Sequence, residues 1–423
     1  MELQLPKGTQ DFSPEEKILR DKIVSTLKEV FELYGYAPLE TPVFERFEVL
    51  ASKYAGGAEI LKETFRLKDQ GQRELGLRYD LTVPMCRYIA MNPTIKMPFK
   101  RYQIGEVFRD GPVASARYRQ FLQCDADVIG SSSMATDAEI VSLVYMAFCK
   151  LNLEVDVKVN SRKLLNDILD YCGIEKEKQE VVILSIDKLE KFGTEVVKNE
   201  LKQQRIDDKK ISTVLSLISI KGNNEEKISQ LKKFLKNSEG LKEIEEMLSY
   251  LKNIKLGADF NVSLARGLAY YTGTVFEAIL KNSKVKSSVA GGGRYDSMIG
   301  AFLGKGIYPA VGISFGVDRI YDTLAEKQET KQKTNTKLYI IPIKTLNESM
   351  KIAQQLRDAG INTDIDSSDR GPSKNLEYAN SLGIPFVLFV GKKELQENKL
   401  KLRDMKSGNE DMLSIEDIIK RMK

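Results

Sequence analysis

A chain of 423 residues is longer than one ordinary hydrophobic core organises, so two or three domains are expected. With 42% hydrophobic and 30% charged residues the composition is that of a globular protein. No apolar run nears the ~20 residues of a membrane span, and the opening MELQLPKGTQDF lacks the apolar stretch of a signal peptide, so a cytoplasmic, membrane-free protein is expected. The net charge of +5 permits a polyanionic partner without requiring one, whereas the absence of histidine excludes Ser-His-Asp and Cys-His catalysis, His-ligated metals and imidazole acid–base chemistry.

In chain order, Ser13 is a good helix N-cap, Pro14 suits the first helical position and Glu16 completes a capping box. Leu19, Ile23, Leu27, Val30, Phe31 and Tyr34 then recur at helical spacing until Gly35. Residues 40–130 alternate short apolar segments with turns, predicting an antiparallel sheet, and 134–152 predicts a helix packed on it. From Cys172 to about Gly257 the text becomes rich in Lys, Glu, Leu and Ile with helical periods, predicting a helical insertion between two halves of a sheet domain. Residues 258–322 return to strand-like, Gly-rich text, and the polar stretch 325–336 predicts a linker. Beyond it LYIIPI, a helical pattern, INTDID, a second helical pattern and IPFVLFV follow one another, so a small α/β domain with parallel crossovers is expected. Cys86, Cys124, Cys149 and Cys172 are widely spaced and suggest neither zinc nor disulfides.

The densest chemistry lies in FKRYQIGEVFRDGPVASARYRQFLQCDADVIG, residues 99–130, where two strand-like segments flank a loop with Arg101, Arg109, Arg117, Arg119, Tyr102 and Tyr118 on or beside it. Guanidinium groups suit phosphate because they stay charged and bind through paired hydrogen bonds. Gln123, Asp125 and Asp127 share one strand face at period two, a surface able to read a polar, cationic small molecule, unless the whole is simply a solvated hairpin. In LGLRYDLTVP, Asp80 and Thr82 are expected on one strand face, where they could hold an amine; a turn or helix cap is the plainer alternative. Arg266 with Tyr270 and Tyr271, the triple glycine Gly291–Gly293, and Arg319 in an apolar strand-to-helix segment complete the set. The glycines fit neither GxGxxG nor GxxxxGK[ST], so Rossmann and P-loop readings fail.

Taken in this order, KGTQDFSPEE (7–16), the hairpin, LARGLAYYTG (264–273), AGGGRYD (290–296) and GISFGVDRI (312–320) resemble the histidyl-tRNA synthetases over nearly the whole chain, with an archaeal- or eukaryotic-like hairpin. The resemblance implies an α+β class II catalytic domain with an antiparallel sheet (1–171 and 256–325), a helical insertion domain (172–255), a linker (326–336) and an α/β anticodon-binding domain (337–423). It implies a histidine–tRNA ligase that joins histidine to AMP using ATP and Mg²⁺, then transfers it to tRNA(His), and that works as a cytoplasmic homodimer. Arg109 and Arg266 would be catalytic, and Arg109, Arg117 and Arg319 would bind ATP. Asp80, Leu81, Thr82, Gln123, Asp127, Tyr270 and Tyr271 would bind histidine, with Asp127 facing the imidazole; which residues would hold the metal is left open. The glycines would let backbone approach the substrate, and Arg370, Lys392 and Lys393 are candidates for reading the anticodon. Ala269 stands where the family usually has an acidic residue, and Gly111 where many class II enzymes carry Glu. A catalytically silent regulatory subunit of ATP phosphoribosyltransferase built on the same fold is the alternative.

Overall fold

The computed structural model describes residues 2–51, 61–113, 118–267, 270–283, 287–327, 332–368 and 370–423. Arg117, Ala269 and part of the expected linker lie outside the described residues. The first helix, Pro14–Leu33, begins as its sequence predicts: the Ser13 N–H donates to Glu16 Oε2 at 2.8 Å, and the Glu16 N–H donates to Ser13 Oγ at 3.4 Å. The chain forms two units, Met1–Gln10 with Lys22–Leu324, and Asp11–Asp21 with Ala325–Lys423.

The larger unit is organised by an eight-stranded sheet. Its strands are β1 Ala37–Pro38, β5 Phe99–Phe108, β6 Gln120–Ile129, β7 Val155–Ser161, β8 Asp259–Phe260, β9 Thr274–Leu280, β10 Ala290–Arg294 and β11 Ala310–Gly316, while β2 Phe44–Arg46, β3 Arg66–Lys68 and β4 Glu74–Leu77 make a small sheet of their own. The spatial order β1-β5-β6-β11-β10-β9-β7-β8 places strands from opposite ends of the unit's sequence side by side at β6 and β11. Pairing is antiparallel except for the outer pairs β1–β5 and β7–β8.

Strand alternation sorts the side chains of this sheet into two faces. Phe315 of β11 pairs with Cys124 of β6, and its ring lies 5.7 Å from Phe31 and 5.8 Å from Phe148, so the helices Pro14–Leu33 and Met134–Lys150 cover that face. One residue along, Ser314 pairs with Asp125, so the opposite face is polar. The segment from Lys176 to Asn253 is helical, with Asp207, Asn223 and Ser238 accepting N–H bonds as N-caps. It does not form a unit of its own, because its last helix, Glu239–Asn253, packs on Met134–Lys150, Arg162–Tyr171 and β7.

Two expectations need correction. Asp80 and Thr82 are not on a strand: Thr82 opens the helix Thr82–Met91, and Asp80 Oδ1 accepts the Val83 N–H at 2.9 Å, as a helix-capping carboxylate does. The helix Val317–Lys327 also runs into the stretch expected to be linker, extended by Tyr321 and Leu324 at helical spacing.

The smaller unit contains β12 Leu338–Ile343, β13 Thr363–Ile365, β14 Phe386–Gly391, β15 Leu400–Asp404 and β16 Glu410–Leu413, ordered β13-β12-β14-β15-β16. The first three are parallel, as the β-α-β-α-β pattern predicts, and the last two are antiparallel additions. Leu338, Ile340, Leu388 and Leu402 meet Leu356 and Ile418 on one side, while Tyr339, Ile341 and Val387 meet Ala379 on the other. Burial on both faces accounts for the unbroken apolar runs of β12 and β14. Among the described residues, no helix is long and apolar enough to cross a membrane.

Candidate active site

On the polar face of the large sheet lies a cavity of about 400 Å³. Arg109, Arg266 and Arg319 line it, carried by three distant parts of the sequence. Arg109 follows β5; its guanidinium carbon sits 4.2 Å from the centroid of Tyr79 and 4.9 Å from that of Phe121, and its Nε donates to the Tyr79 carbonyl at 3.3 Å. Stacking between rings fixes the plane of the guanidinium while leaving its charge in place. Arg319, in the first turn of Val317–Lys327, donates from Nη1 to the Ser288 carbonyl at 2.6 Å. Arg266 Nη1 stands 3.4 Å from Glu277 Oε1. Its guanidinium lies against Gly291 of β10, where a Cβ would fall 2.5 Å from Nη1, so only glycine leaves it room.

Acceptors complete the lining. Asp80, Gln123 and Asp125 all line the cavity, and the two carboxylates are 6% and 4% exposed. Gln123 Nε2 donates to Ser314 Oγ at 3.0 Å, which turns its Oε1 away from that bond. Gln123 Oε1, Asp80 Oδ2 and Asp125 Oδ1 are buried without a hydrogen-bond partner among the described residues. Buried acceptors left unpaired cost free energy until something donates to them. Burial pushes both carboxyls above their ordinary values; for Asp125, with Asp127 adding to burial and Arg101 and Ser314 opposing it, the result is about 7. Tyr270 and Tyr271 close the same cavity with ring centroids 4.8 Å apart.

The structure therefore gathers Asp80, Thr82, Arg109, Gln123, Arg266, Tyr270, Tyr271 and Arg319 into one cavity. Two expected members stand elsewhere. Leu81 is fully buried before the helix Thr82–Met91 and does not line the cavity. Asp127, two residues beyond Asp125, sits roughly 7 Å further along β6 by strand rise. There Arg101 Nη2 approaches its Oδ2 at 2.8 Å, the Tyr295 hydroxyl donates to its Oδ1, and Gly312 makes room for it; it too is outside the lining. Of the triple glycine only Gly291 lines the cavity: Gly292 abuts the β11 backbone and Gly293 abuts Thr274. Ser314, Phe121 and Tyr118 line it too, although sequence reasoning gave them no role. Period two would have marked Ser314 once β11 was known to pair with β6, but that pairing is not local.

The arrangement binds charge of both signs: guanidinium groups for phosphoryl and carboxylate oxygens, and buried acceptors for a cationic N–H group. No cluster of three or more acidic or thiol side chains suited to a metal occurs among the described residues. Mg²⁺ commonly binds through one or two carboxylates together with substrate phosphates, and Asp318, which lines the cavity, supplies one. The residues thus fit a metal brought in on a triphosphate.

A family model described as histidyl-tRNA synthetase matches residues 8–320, and one described as an anticodon-binding domain matches residues 337–423. Histidine–tRNA ligase 1 of Bacillus cereus is 44% identical over 421 residues, covering 97% of this chain and 95% of its own. Histidine–tRNA ligase of Clostridium tetani is 36% identical, covering 98% and 97%. The crystal structure of histidyl-tRNA synthetase from Nostoc superposes with a TM-score of 0.87 at 30% identity, covering 100% of this chain and 99% of that one. A structure from Bacillus halodurans titled as an ATP phosphoribosyltransferase regulatory subunit/histidyl-tRNA synthetase superposes at 0.78 with 20% identity, covering 92% and 99%, which shows a shared fold and nothing more.

Proposed function

The chain belongs to the histidyl-tRNA synthetase family, and from that premise we propose that its central cavity joins histidine to AMP and passes the histidine to tRNA. It is a histidine–tRNA ligase, with histidine, ATP and tRNA as its partners. The residue roles are our reading. The observation that carries them is the meeting, in one cavity, of three guanidinium groups with three buried acceptors that lack partners among the described residues.

Asp80 Oδ2, Gln123 Oε1 and the Thr82 hydroxyl offer three acceptors to the three N–H donors of an α-ammonium group. Histidine's carboxylate is already an anion and needs no general base to attack the ATP α-phosphate, which suits a chain without histidine. As the new C–O–P linkage forms and pyrophosphate leaves, negative charge spreads over the phosphoryl oxygens. Arg109 and Arg266 would stabilise that charge from fixed positions, and Arg319 would hold the far phosphates. Mg²⁺, when carried in on ATP, supplies further charge neutralisation. A terminal ribose hydroxyl of tRNA then attacks the adenylate carbonyl, and AMP departs.

Residues 1–171 and 256–325 would form the catalytic domain, 172–255 a helical insertion to it, and 337–423 the part that binds the anticodon. Arg117, on the hairpin loop, would reach ATP. We further propose a homodimer, supported by the exposed apolar side chains of Leu33, Phe44 and Met91, and a cytoplasmic location, where tRNA is charged. Pyrophosphate exchange into ATP, run with each of the twenty amino acids, tests the reading: histidine alone should drive it, and exchange driven by another amino acid, or by none, refutes it.

A further inference from the structure

Arg266 lies between β8 and β9, and its guanidinium is held from the sheet. Gly291 of β10 pairs with Glu277 of β9, so the guanidinium rests over the glycine with the carboxylate beside it, Nη1 to Oε1 at 3.4 Å. Glu277 pairs on its other side with Lys158 of β7. Residues directly opposite in an antiparallel pair share a face, and a lysine opposite a glutamate ordinarily forms a cross-strand ion pair with it. Lys158 makes no such pair with Glu277; its Nζ donates instead to both carboxylate oxygens of Glu190, at 2.7 and 3.0 Å. Glu190 belongs to the short helix Leu189–Phe192 of the helical segment, and Asn261 Nδ2 holds the same carboxylate at 2.9 Å. The helical segment also sets Asp187 against the chain that carries Arg266, with Oδ2 3.3 Å from where a Cβ on Gly267 would stand.

We propose that Glu277 is a positioning residue for Arg266, and that Glu190 keeps it available by holding Lys158 away. The inference rests on the reading that Arg266 stabilises charge on the α-phosphate. When a lysine takes the carboxylate that a guanidinium leans on, two cations compete for one acceptor, and the guanidinium loses its fixed plane. Arg266, Glu277, Lys158 and Glu190 thus alternate in sign from the cavity to the helical segment. The first three are 23%, 21% and 22% exposed, so water screens the choice of partner only in part. Docking of the helical segment is thereby tied to the orientation of a cation in the cavity.

The test is histidine-dependent pyrophosphate exchange by the full chain and its variants, with folding followed by thermal melting. Glu277→Gln should lower kcat about tenfold and leave the KM for histidine within about twofold of wild type. The same substitution in an Arg266→Ala chain, assayed at high enzyme concentration, should lower kcat no further, because a residue acting through Arg266 has nothing left to act on. Glu190→Gln should lower kcat about threefold to fivefold by releasing Lys158 onto Glu277, and adding Lys158→Gln should bring the rate back to within about twofold of wild type. If Glu277→Gln does not fold, Glu277→Ala gives the same comparison without the amide. A Glu277→Gln loss of equal size with and without Arg266, or no loss at all, overturns the inference. So does a Glu190→Gln loss that Lys158→Gln leaves in place, as an anchoring role alone would give, or the absence of any such loss. Full exchange by Arg266→Ala overturns the reading of that arginine together with the inference, and a wild-type chain without histidine-dependent exchange overturns the function beneath both.

Discussion

Arg266 illustrates how little of a catalytic side chain's placement is written beside it. Its neighbours in sequence, Gly267 and the tyrosine pair, mark a ligand segment, but the plane of the guanidinium is set from β10, where Gly291 leaves open the space a Cβ would take. Gly291→Ala is therefore a sharp probe. The methyl group would meet Nη1 at 2.5 Å and Cζ at 2.6 Å, and the flexible side chain would yield before the sheet does. We expect adenylation kcat to fall roughly a hundredfold, as when one preorganised donor to a developing oxyanion is displaced, with little change in thermal stability. Single-turnover pyrophosphate release checks it, and full activity would show that the position of Arg266 does not matter. The family resemblance marks Gly291 as a glycine that meets substrate; the structure marks it as the glycine that seats an arginine. Asp127 depends on distant residues in a related way. Period two correctly placed it on the face of Gln123 and Asp125, but how far along β6 the cavity reaches depends on Arg101 and Tyr295, which arrive from elsewhere.

At the scale of elements, the capping boxes and apolar periods were legible because their causes are local. Ser13 with Glu16 announces a helix start, and the all-apolar run of β12 announces a strand buried on both faces. The segment around Asp80 reads as a strand in sequence because an Asp that accepts the N–H three residues on and a strand Asp look alike until the next turn is seen. Asp366 is a loop-bracing carboxylate whose effect can be measured. It accepts from the Ser368 N–H and hydroxyl at 3.0 and 2.6 Å, from the Arg370 N–H at 3.0 Å and from Asn375 Nδ2 at 2.9 Å, tying the end of β13 to the helix Pro372–Ser381. Burial alone would raise its carboxyl, but these donors hold it down at about 2. A folded value below the unfolded one, about 3.9, means that the ionised side chain stabilises the fold above pH ~4, and that this contribution is lost as pH falls towards 2. Asp366→Asn should thus weaken hydrogen-exchange protection of the helix Pro372–Ser381 by about 2 kcal/mol near neutrality. The gap to wild type should narrow as pH drops from about 4 towards 2, and a gap independent of pH would mean that the carboxylate's charge contributes nothing.

At the scale of the whole chain, composition alone excluded imidazole chemistry and implied more than one core, and both statements concern totals that folding does not alter. What totals cannot give is the register that sets β6 beside β11, because the residues that pair, such as Asp125 and Ser314, are separated by the whole helical segment. The two units nonetheless have cores of their own: a cluster of the larger unit runs from Leu50 to Ala310, and the buried residues of both clusters of the smaller unit fall between Leu338 and Ile418. Chemistry on the amino acid and recognition of the tRNA should then be separable. A chain ending at residue 336 should keep histidine-dependent pyrophosphate exchange within about threefold of the full chain, since among the described residues every one that lines the cavity precedes 320. Its KM for tRNA in the charging reaction should rise about a hundredfold, the equivalent of losing about 2.8 kcal/mol of contact outside the catalytic cavity. Parallel loss of both activities, with the truncated chain still folded by circular dichroism, would mean that the smaller unit supports adenylation itself and that the two cores are not functionally independent.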